Sequence, residues 1–204
     1  QVNMKKGNWL VLARTRFMLN DIEEKLYSQG LYYENKFKTN KEHDLYKAIN
    51  DWENVRKGVS INYNQLVRIV AYMSDNHFQK QSLKYMDKDG QYEMSGLKER
   101  MWLRTDKVWY EAFDSAPQKK IRYIRRMREN GEKLNSTPRI ILSTIHGVKG
   151  GEQDNVVLLT DLSRNTQRNY EQNPDDENRL FYVGATRTKN HLHIIRPKDI
   201  YKGY

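Results

Sequence analysis

The stretch from Arg139 to Pro197 constrains this chain most. It holds three short apolar, partly β-branched runs, Ile140–Thr144, Val156–Thr160 and Leu192–Ile195. Such runs read as strands of a parallel sheet buried on both faces, where no polar side is needed. A glycine-rich polar turn, His146 to Gly151, separates the first two runs. Before the third come a polar gap, Asn165 to Asp176, and a helical pattern from Asp176 to about Arg187. The gap reads as a loop, with Asp175 or Asp176 as N-cap of the helix. Strand, turn, strand, helix, strand is an α/β pattern. Its polar residues gather where strands end and helices begin, the place where open α/β sheets build ligand sites.

The amino-terminal end repeats the pattern. Trp9–Ala13 reads as a buried strand, Arg14-Thr15-Arg16 as a polar turn, and Phe17 to Gln29 as a helix with Leu19, Ile22 and Leu26 on one face. Gly30 stands where a left-handed C-cap belongs, and Leu31–Tyr33 reads as the next strand. From about Glu34 to Pro138 the βαβ alternation stops and the period is mostly helical. Leu45, Ile49 and Trp52 share one face, and a buried helix is expected near Asn64–Ser74. Asp87-Lys88-Asp89-Gly90 is a turn signal without the later ligands of a calcium loop. Met101, Trp102, Val108, Trp109 and Phe113 have the spacing of core packing, with base stacking as the other reading. Pro117 opens a basic helix carrying Lys119, Lys120, Arg122, Arg125, Arg126 and Arg128, with Ile121, Ile124 and Met127 as its apolar stripe. Such a helix either lies along a phosphate backbone or is a solvated outer face.

Composition narrows the partners. The net charge of +10 favours a polyanion, of which nucleic acid is the usual one. Mean hydropathy is low, −0.97, yet 4 Trp and 14 Tyr argue for a folded core. With no Cys there is no disulfide and no thiolate metal site, and the 5 His have no ligand spacing, so no metal site is expected. No apolar run approaches about 18 residues, and no signal peptide precedes the first strand. A cytoplasmic location without membrane contact is the default expectation. The chain opens Gln1-Val2-Asn3 and reads as a piece of a longer protein.

Two motifs carry a resemblance. Thr144-Ile145-His146-Gly147-Val148-Lys149-Gly150-Gly151-Glu152 resembles motif V of superfamily 1 helicases of the UvrD/Rep type. Glu177-Asn178-Arg179-Leu180-Phe181-Tyr182-Val183-Gly184-Ala185-Thr186-Arg187 resembles their motif VI, and residues 9–33 are more loosely similar to the segment after motif IV. The resemblance implies an α/β, RecA-like parallel-sheet domain of the P-loop NTPase type, interrupted by a mostly helical insertion. Residues 1–33 and 139–204 would form the second RecA-like domain (2A), and 34–138 an insertion resembling domain 2B, shorter than in the best-known members. The sequence has no GxxxxGK[ST] P-loop. The resemblance assigns the P-loop and the Mg²⁺ ligand to an upstream RecA-like domain, so ATP with Mg²⁺ would belong to the complete parent and not to this fragment alone.

The resemblance also implies residue roles. Arg187 matches the arginine finger that meets the γ-phosphate across the interdomain cleft; the other reading is an arginine capping a helix end. A guanidinium suits that role because it is always charged and its planar donors fit phosphate oxygens. Arg179 matches another motif arginine, expected to bind structurally or near the cleft on the nucleotide side, and Tyr182 is expected to pack or hydrogen-bond within the domain. Glu152 matches the glutamate associated with the nucleotide ribose, although Gly151 replaces the more usual leucine before it. Thr144 and His146 match single-strand contacts, which a hydroxyl and an imidazole can make to phosphate oxygens without reading sequence. Lys149 adds charge there or pairs with a carboxylate. Arg14 and Arg16 either approach phosphates or are solvated turn arginines. Lys120, Arg122 and Arg125 are the basic-helix candidates for DNA.

The reading is therefore the C-terminal motor portion of an ATP-dependent DNA helicase, acting on single-stranded DNA and a duplex junction. Two rivals stand beside it. One is a non-catalytic nucleic-acid-binding or interaction module on a degenerate helicase fold, and the other a helicase–nuclease fusion.

Overall fold

The computed structural model describes residues 2–38, 43–134, 136–148, 151–197 and 203–204. In chain order it runs β1 (Trp9–Ala13), a 3₁₀ turn (Arg16–Leu19), α1 (Asn20–Gln29), β2 (Tyr33–Asn35), α2 (His43–Arg56), β3 (Ile61–Asn62) and α3 (Tyr63–Val70). A second 3₁₀ segment (Lys80–Tyr85) follows, then β4 (Gln91–Tyr92), α4 (Met94–Arg100), α5 (Trp109–Ala112) and α6 (Gln118–Glu129). The chain continues with β5 (Ile140–Thr144), β6 (Gln153–Leu159), α7 (Arg164–Gln172), α8 (Pro174–Ala185) and β7 (Thr188–Ile195). Two compact units result, Gln1–Asn40 with Arg125–Tyr204, and Lys41–Ile124. No helix among the described residues is long and apolar enough to cross a membrane.

The first unit is an α/β layer structure around a five-stranded sheet in the order β2-β5-β1-β6-β7. Every pairing in it is parallel, Trp9 standing opposite Ile140 on one side and Asn155 on the other. β1 is central, and its five residues are all buried. Its side chains alternate between two cores. Trp9, Val11 and Ala13 join Leu19 and Leu26 on the α1 face, while Leu10 and Leu12 join Val156, Leu158 and the α8 residue Phe181 on the other. Right-handed crossovers account for the helices on both faces, because β1 to β2 steps one way across the sheet and β6 to β7 the other.

The strands at Trp9–Ala13 and Ile140–Thr144 fall where the apolar runs lie. β2 starts later than the apolar signal, because the Leu31 N–H closes α1 by donating to Leu26 O (3.0 Å). The expected loop at Asn165–Asp176 is a helix instead. Ser163 caps α7 by accepting from Thr166 N, and Thr166 is buried with Tyr170 packed one turn on. So few inward residues leave almost no apolar period to read. Asn173, not Asp175 or Asp176, caps α8, with Pro174 in its first turn. That is the asymmetry expected of a helix start, and the two aspartates sit in the first turn where the helix dipole favours them.

The second unit packs α2, α3, α4, α5 and the start of α6 with a two-stranded antiparallel pair, β3 with β4. Leu45, Ile49 and Trp52 of α2 are buried, and Trp52 donates its ring N–H to Lys107 O (2.9 Å). Asp51, also buried, accepts from Gln65 Nε2 (2.7 Å) and from Arg68 (2.9 and 3.0 Å). The unit boundaries differ from 33/34 and 138/139. β2 runs on to Asn35 beside β5, and the second half of α6 is tied to the first unit, Arg126 donating to Ser28 O and Asn130 to Gln29 O (2.8 Å).

Gly30 joins these last pieces. Its φ of 69° is left-handed, and a Cβ there would lie 2.6 Å from Met127 N and closer still to Arg126 Cβ. Replacing Gly30 by Ala is expected to cost at least about 2 kcal/mol, from the left-handed backbone and the clash together. Chemical denaturation of wild type beside Gly30→Ala measures it; an unchanged midpoint would contradict this packing.

Candidate functional site

Four elements meet above the carboxyl ends of β1 and β5 and enclose an open cleft of about 720 Å³. β1 delivers Arg14 and β5 delivers His146. The end of α7 contributes Asn169 and Gln172, Asn173 follows, and α8 presents Asp176, Glu177, Arg179, Leu180 and Val183. The cleft lies where a doubly wound sheet leaves a crevice, because its crossovers depart in opposite directions.

Its floor is an ion pair. Arg14 Nε and Nη2 donate to the two carboxylate oxygens of Glu177, both at 2.7 Å. Glu177 is 5% exposed, and the Arg14 side chain 22%. A bidentate charge-assisted pair is among the strongest polar contacts a protein makes. The pairing neutralises Arg14, so the cleft's remaining fixed charges are Arg179 against Asp176. The sequence motifs do not single out Glu177. Its one signal is that it is the only carboxylate in the motif from Glu177 to Arg187.

His146 is exposed at the tip of the turn after β5. Thr144, behind it, is buried and points inward, its hydroxyl and carbonyl oxygens both accepting from Gly147 N at 3.2 and 3.0 Å. A Cβ on Gly147 would lie 2.9 Å from Ser143 Oγ, so any side chain there would crowd the Ser143 hydroxyl in this tight return. Thr144 therefore shapes the turn that presents His146. Lys149 lies outside the described residues. Arg16 is exposed, with its guanidinium 4.2 Å over the Phe37 ring, and does not line the cleft.

Glu152 and Arg187 stand at the other end of the sheet, contrary to the expectation that polar motif residues gather at strand ends. Glu152 is exposed and immediately precedes β6, and Arg187 immediately precedes β7. The two strand starts are tied, Gln153 N donating to Arg187 O at 3.0 Å. Arg187 Nε donates to Val183 O (3.0 Å), a capping contact on the last turn of α8. Its two Nη groups have no partner among the described residues. Tyr182, expected to pack inside, is 71% exposed on α8, because Phe181 and Gly184 take the inward face.

None of the basic-helix residues lines the cleft. Arg125 begins the part of α6 that docks beside the carboxyl end of α1, at the amino ends of the strands. Arg122 is exposed and Lys120 half-buried, both in the second unit. The amides Asn169, Gln172 and Asn173 escape sequence reasoning because they fall in the segment that reads as a loop; the Ser163 and Asn173-Pro174 cap signals could have found them.

Removing one partner of the ion pair strands the other in the cleft floor. Glu177→Ala is expected to cost about 2–3 kcal/mol, below the range for fully buried pairs because Arg14 is partly solvated. Urea denaturation measures this, and the double exchange Arg14→Glu with Glu177→Arg should recover part of the loss. A midpoint within error of wild type for Glu177→Ala would show the pair to be without weight.

No curated protein sequence matches the chain. Residues 11–199 match the family model of the UvrD-like helicase C-terminal domain. That range takes in both motifs, the intervening helical unit and the five-stranded parallel sheet apart from Trp9 and Leu10 of β1. The chain belongs to the family of UvrD-like helicase C-terminal domains.

Proposed function

We propose that this chain is the half of an ATP-driven DNA helicase that senses nucleotide at one end of its sheet and holds single-stranded DNA at the other. Family membership supports a helicase motor portion, and the family is generally one of ATP-hydrolysing enzymes. Motor chemistry needs positive charge to meet the γ-phosphate as negative charge develops. Arg187 supplies it as the arginine finger, and the observation that carries this reading is its geometry. Nε is anchored to Val183 O, which fixes the planar group, while both Nη donors point to no protein acceptor among the described residues. Glu152, on the adjoining strand start, has two carboxylate oxygens able to accept from ribose hydroxyls.

ATP and Mg²⁺ are held by an upstream RecA-like domain of the complete protein, since the sequence has no P-loop. The fragment alone therefore does not hydrolyse ATP. At the carboxyl end, His146 and Arg179 hold the strand by phosphate contacts that carry no sequence information. Thr144 and the Arg14–Glu177 pair keep them in place, and Lys149 is a further candidate for a phosphate contact. Arg16, Lys120, Arg122 and Arg125 are further cationic candidates for DNA, and a duplex junction is the substrate on which the complete protein acts.

In the complete protein, Arg187→Ala is expected to lower single-strand-stimulated ATPase turnover by about 10³–10⁵, with ATP and DNA binding retained. A variant near the wild-type rate places the finger elsewhere. A wild type without ATPase on any nucleic acid favours the binding-module reading. Arg122→Ala combined with Arg125→Ala should reduce the slope of log affinity against log salt by about one for each phosphate that the arginines neutralise. Titration at several salt concentrations reads it, and an unchanged slope removes the basic helix from the interface.

A further inference from the structure

The four tryptophans do not share one environment. Trp9, Trp52 and Trp109 are 6%, 0% and 5% exposed, while Trp102 is 62% exposed. Trp102 is also the one non-glycine residue with positive φ among the described residues, at 54°. A bulky residue in that conformation is an outlier that its surroundings must enforce.

The local structure shows how. Trp102 follows α4 by one residue beyond its C-cap Met101. α2 and α6 close at the same position with Gly58 (φ 84°) and Gly131 (φ 75°), and α1 closes with Gly30 (φ 69°). Glycine is the residue that this left-handed position favours, because it has no Cβ to clash. At the end of α4 a tryptophan takes its place. The flanking residues hold the turn: Met101, Leu103 and Thr105 are buried, and Leu103 N donates to Leu97 O (3.3 Å). Arg104 N donates to His77 O (2.8 Å). The indole is thereby pushed outward, with no ring or hydrogen-bond partner among the described residues. Both its backbone conformation and its exposed apolar surface disfavour it for stability.

The neighbours indicate what would cover it. Arg100 ends α4 and Arg104 follows the turn; both are exposed, and neither side chain has an ion-pair partner among the described residues. The other nearby cations are already paired, Lys98 with Asp106 and Lys107 with Glu111, which leaves Glu99 as the only nearby carboxylate without a partner among the described residues. An exposed indole between two arginines matches the pattern by which proteins hold single strands: a flat π face for a base and cations for the phosphates on either side. A duplex offers no unstacked base to such a ring.

We propose that Trp102 is a stacking platform for an unpaired base of single-stranded nucleic acid, with Arg100 and Arg104 meeting the adjoining phosphates. This rests on the single-strand reading above but uses a different part of the chain, the helical unit. It accounts for a tryptophan at a position where glycine would be better for the fold.

The test uses the whole chain, a fluorescein-labelled oligothymidylate and an abasic oligonucleotide of the same length. Iodide quenching of tryptophan fluorescence reports Trp102 selectively, since the other three indoles are buried. Oligothymidylate should shield Trp102 from iodide and the abasic strand should not. Trp102→Gly should weaken oligothymidylate binding roughly tenfold and leave abasic binding unchanged. Its denaturation midpoint should equal or exceed that of wild type, whereas Trp102→Phe should keep most of the affinity. Unchanged oligothymidylate affinity in Trp102→Gly overturns the proposal, as does a lowered midpoint, which would make the residue structural. If wild type binds both strands while Trp102 stays open to iodide, the stacking role falls and the single-strand reading stands. If wild type binds neither strand, both fall.

Discussion

The Arg14–Glu177 pair is the contact on which the arrangement of the first unit turns. A carboxylate as buried as Glu177 is tolerated only with a partner that satisfies both oxygens, and Arg14 does so in a fixed fork. Arg14 directly follows the central strand, and Glu177 lies in the first turn of α8, where the helix dipole also favours negative charge. The pair therefore pins the start of α8 to the middle of the sheet. From Glu177 to Arg187 the chain then travels roughly 15 Å, at about 1.5 Å per residue. A rigid helix fixed at one end delivers its other end to a defined place, so the position of Arg187 depends on a contact at the opposite end of the sheet.

That geometry separates two groups of motif residues along one layer. The cleft at the carboxyl ends holds His146 and Arg179 above the ion pair, and the amino ends hold Glu152 and Arg187. In a parallel sheet all strands begin at one end, so residues just before β6 and β7 are neighbours by topology. The bond from Gln153 N to Arg187 O is the physical sign of this. On the proposed function, α8 spans from strand-binding residues to nucleotide-sensing ones. Packed elements of this kind shift as bodies rather than deform, which is what coupling nucleotide state to a grip on DNA would need.

The helical unit shows a different economy. Its core is ordinary, built on Trp52, Phe113 and the buried face of α2. Its surface is not, because Trp102 holds a backbone conformation that glycine serves at the ends of α1, α2 and α6. Where a local rule is broken without gain to the fold, the gain is to be sought in what the residue meets outside it.

Strand identity and the parallel sheet were legible in the sequence because buried strands must be continuously apolar, and β1 and β5 fall on those runs residue for residue. Gly30 was legible because the left-handed position after a helix admits few residues, and the two motifs announced the family. Other features were decided only in three dimensions. α7 has too few inward side chains to leave a period, so its helical state rests on the Ser163 cap and its packing with α8. The Arg14–Glu177 pair joins residues 163 apart in sequence, and no local pattern encodes which carboxylate an arginine will find. The sorting of motif residues to opposite ends of the sheet follows from where each strand begins, which the order of residues alone does not give. The sequence by itself determined which segments could be buried, since that depends on side-chain polarity and period. The tertiary structure decided which charges meet and which face is left open, since those depend on the path of the chain between them.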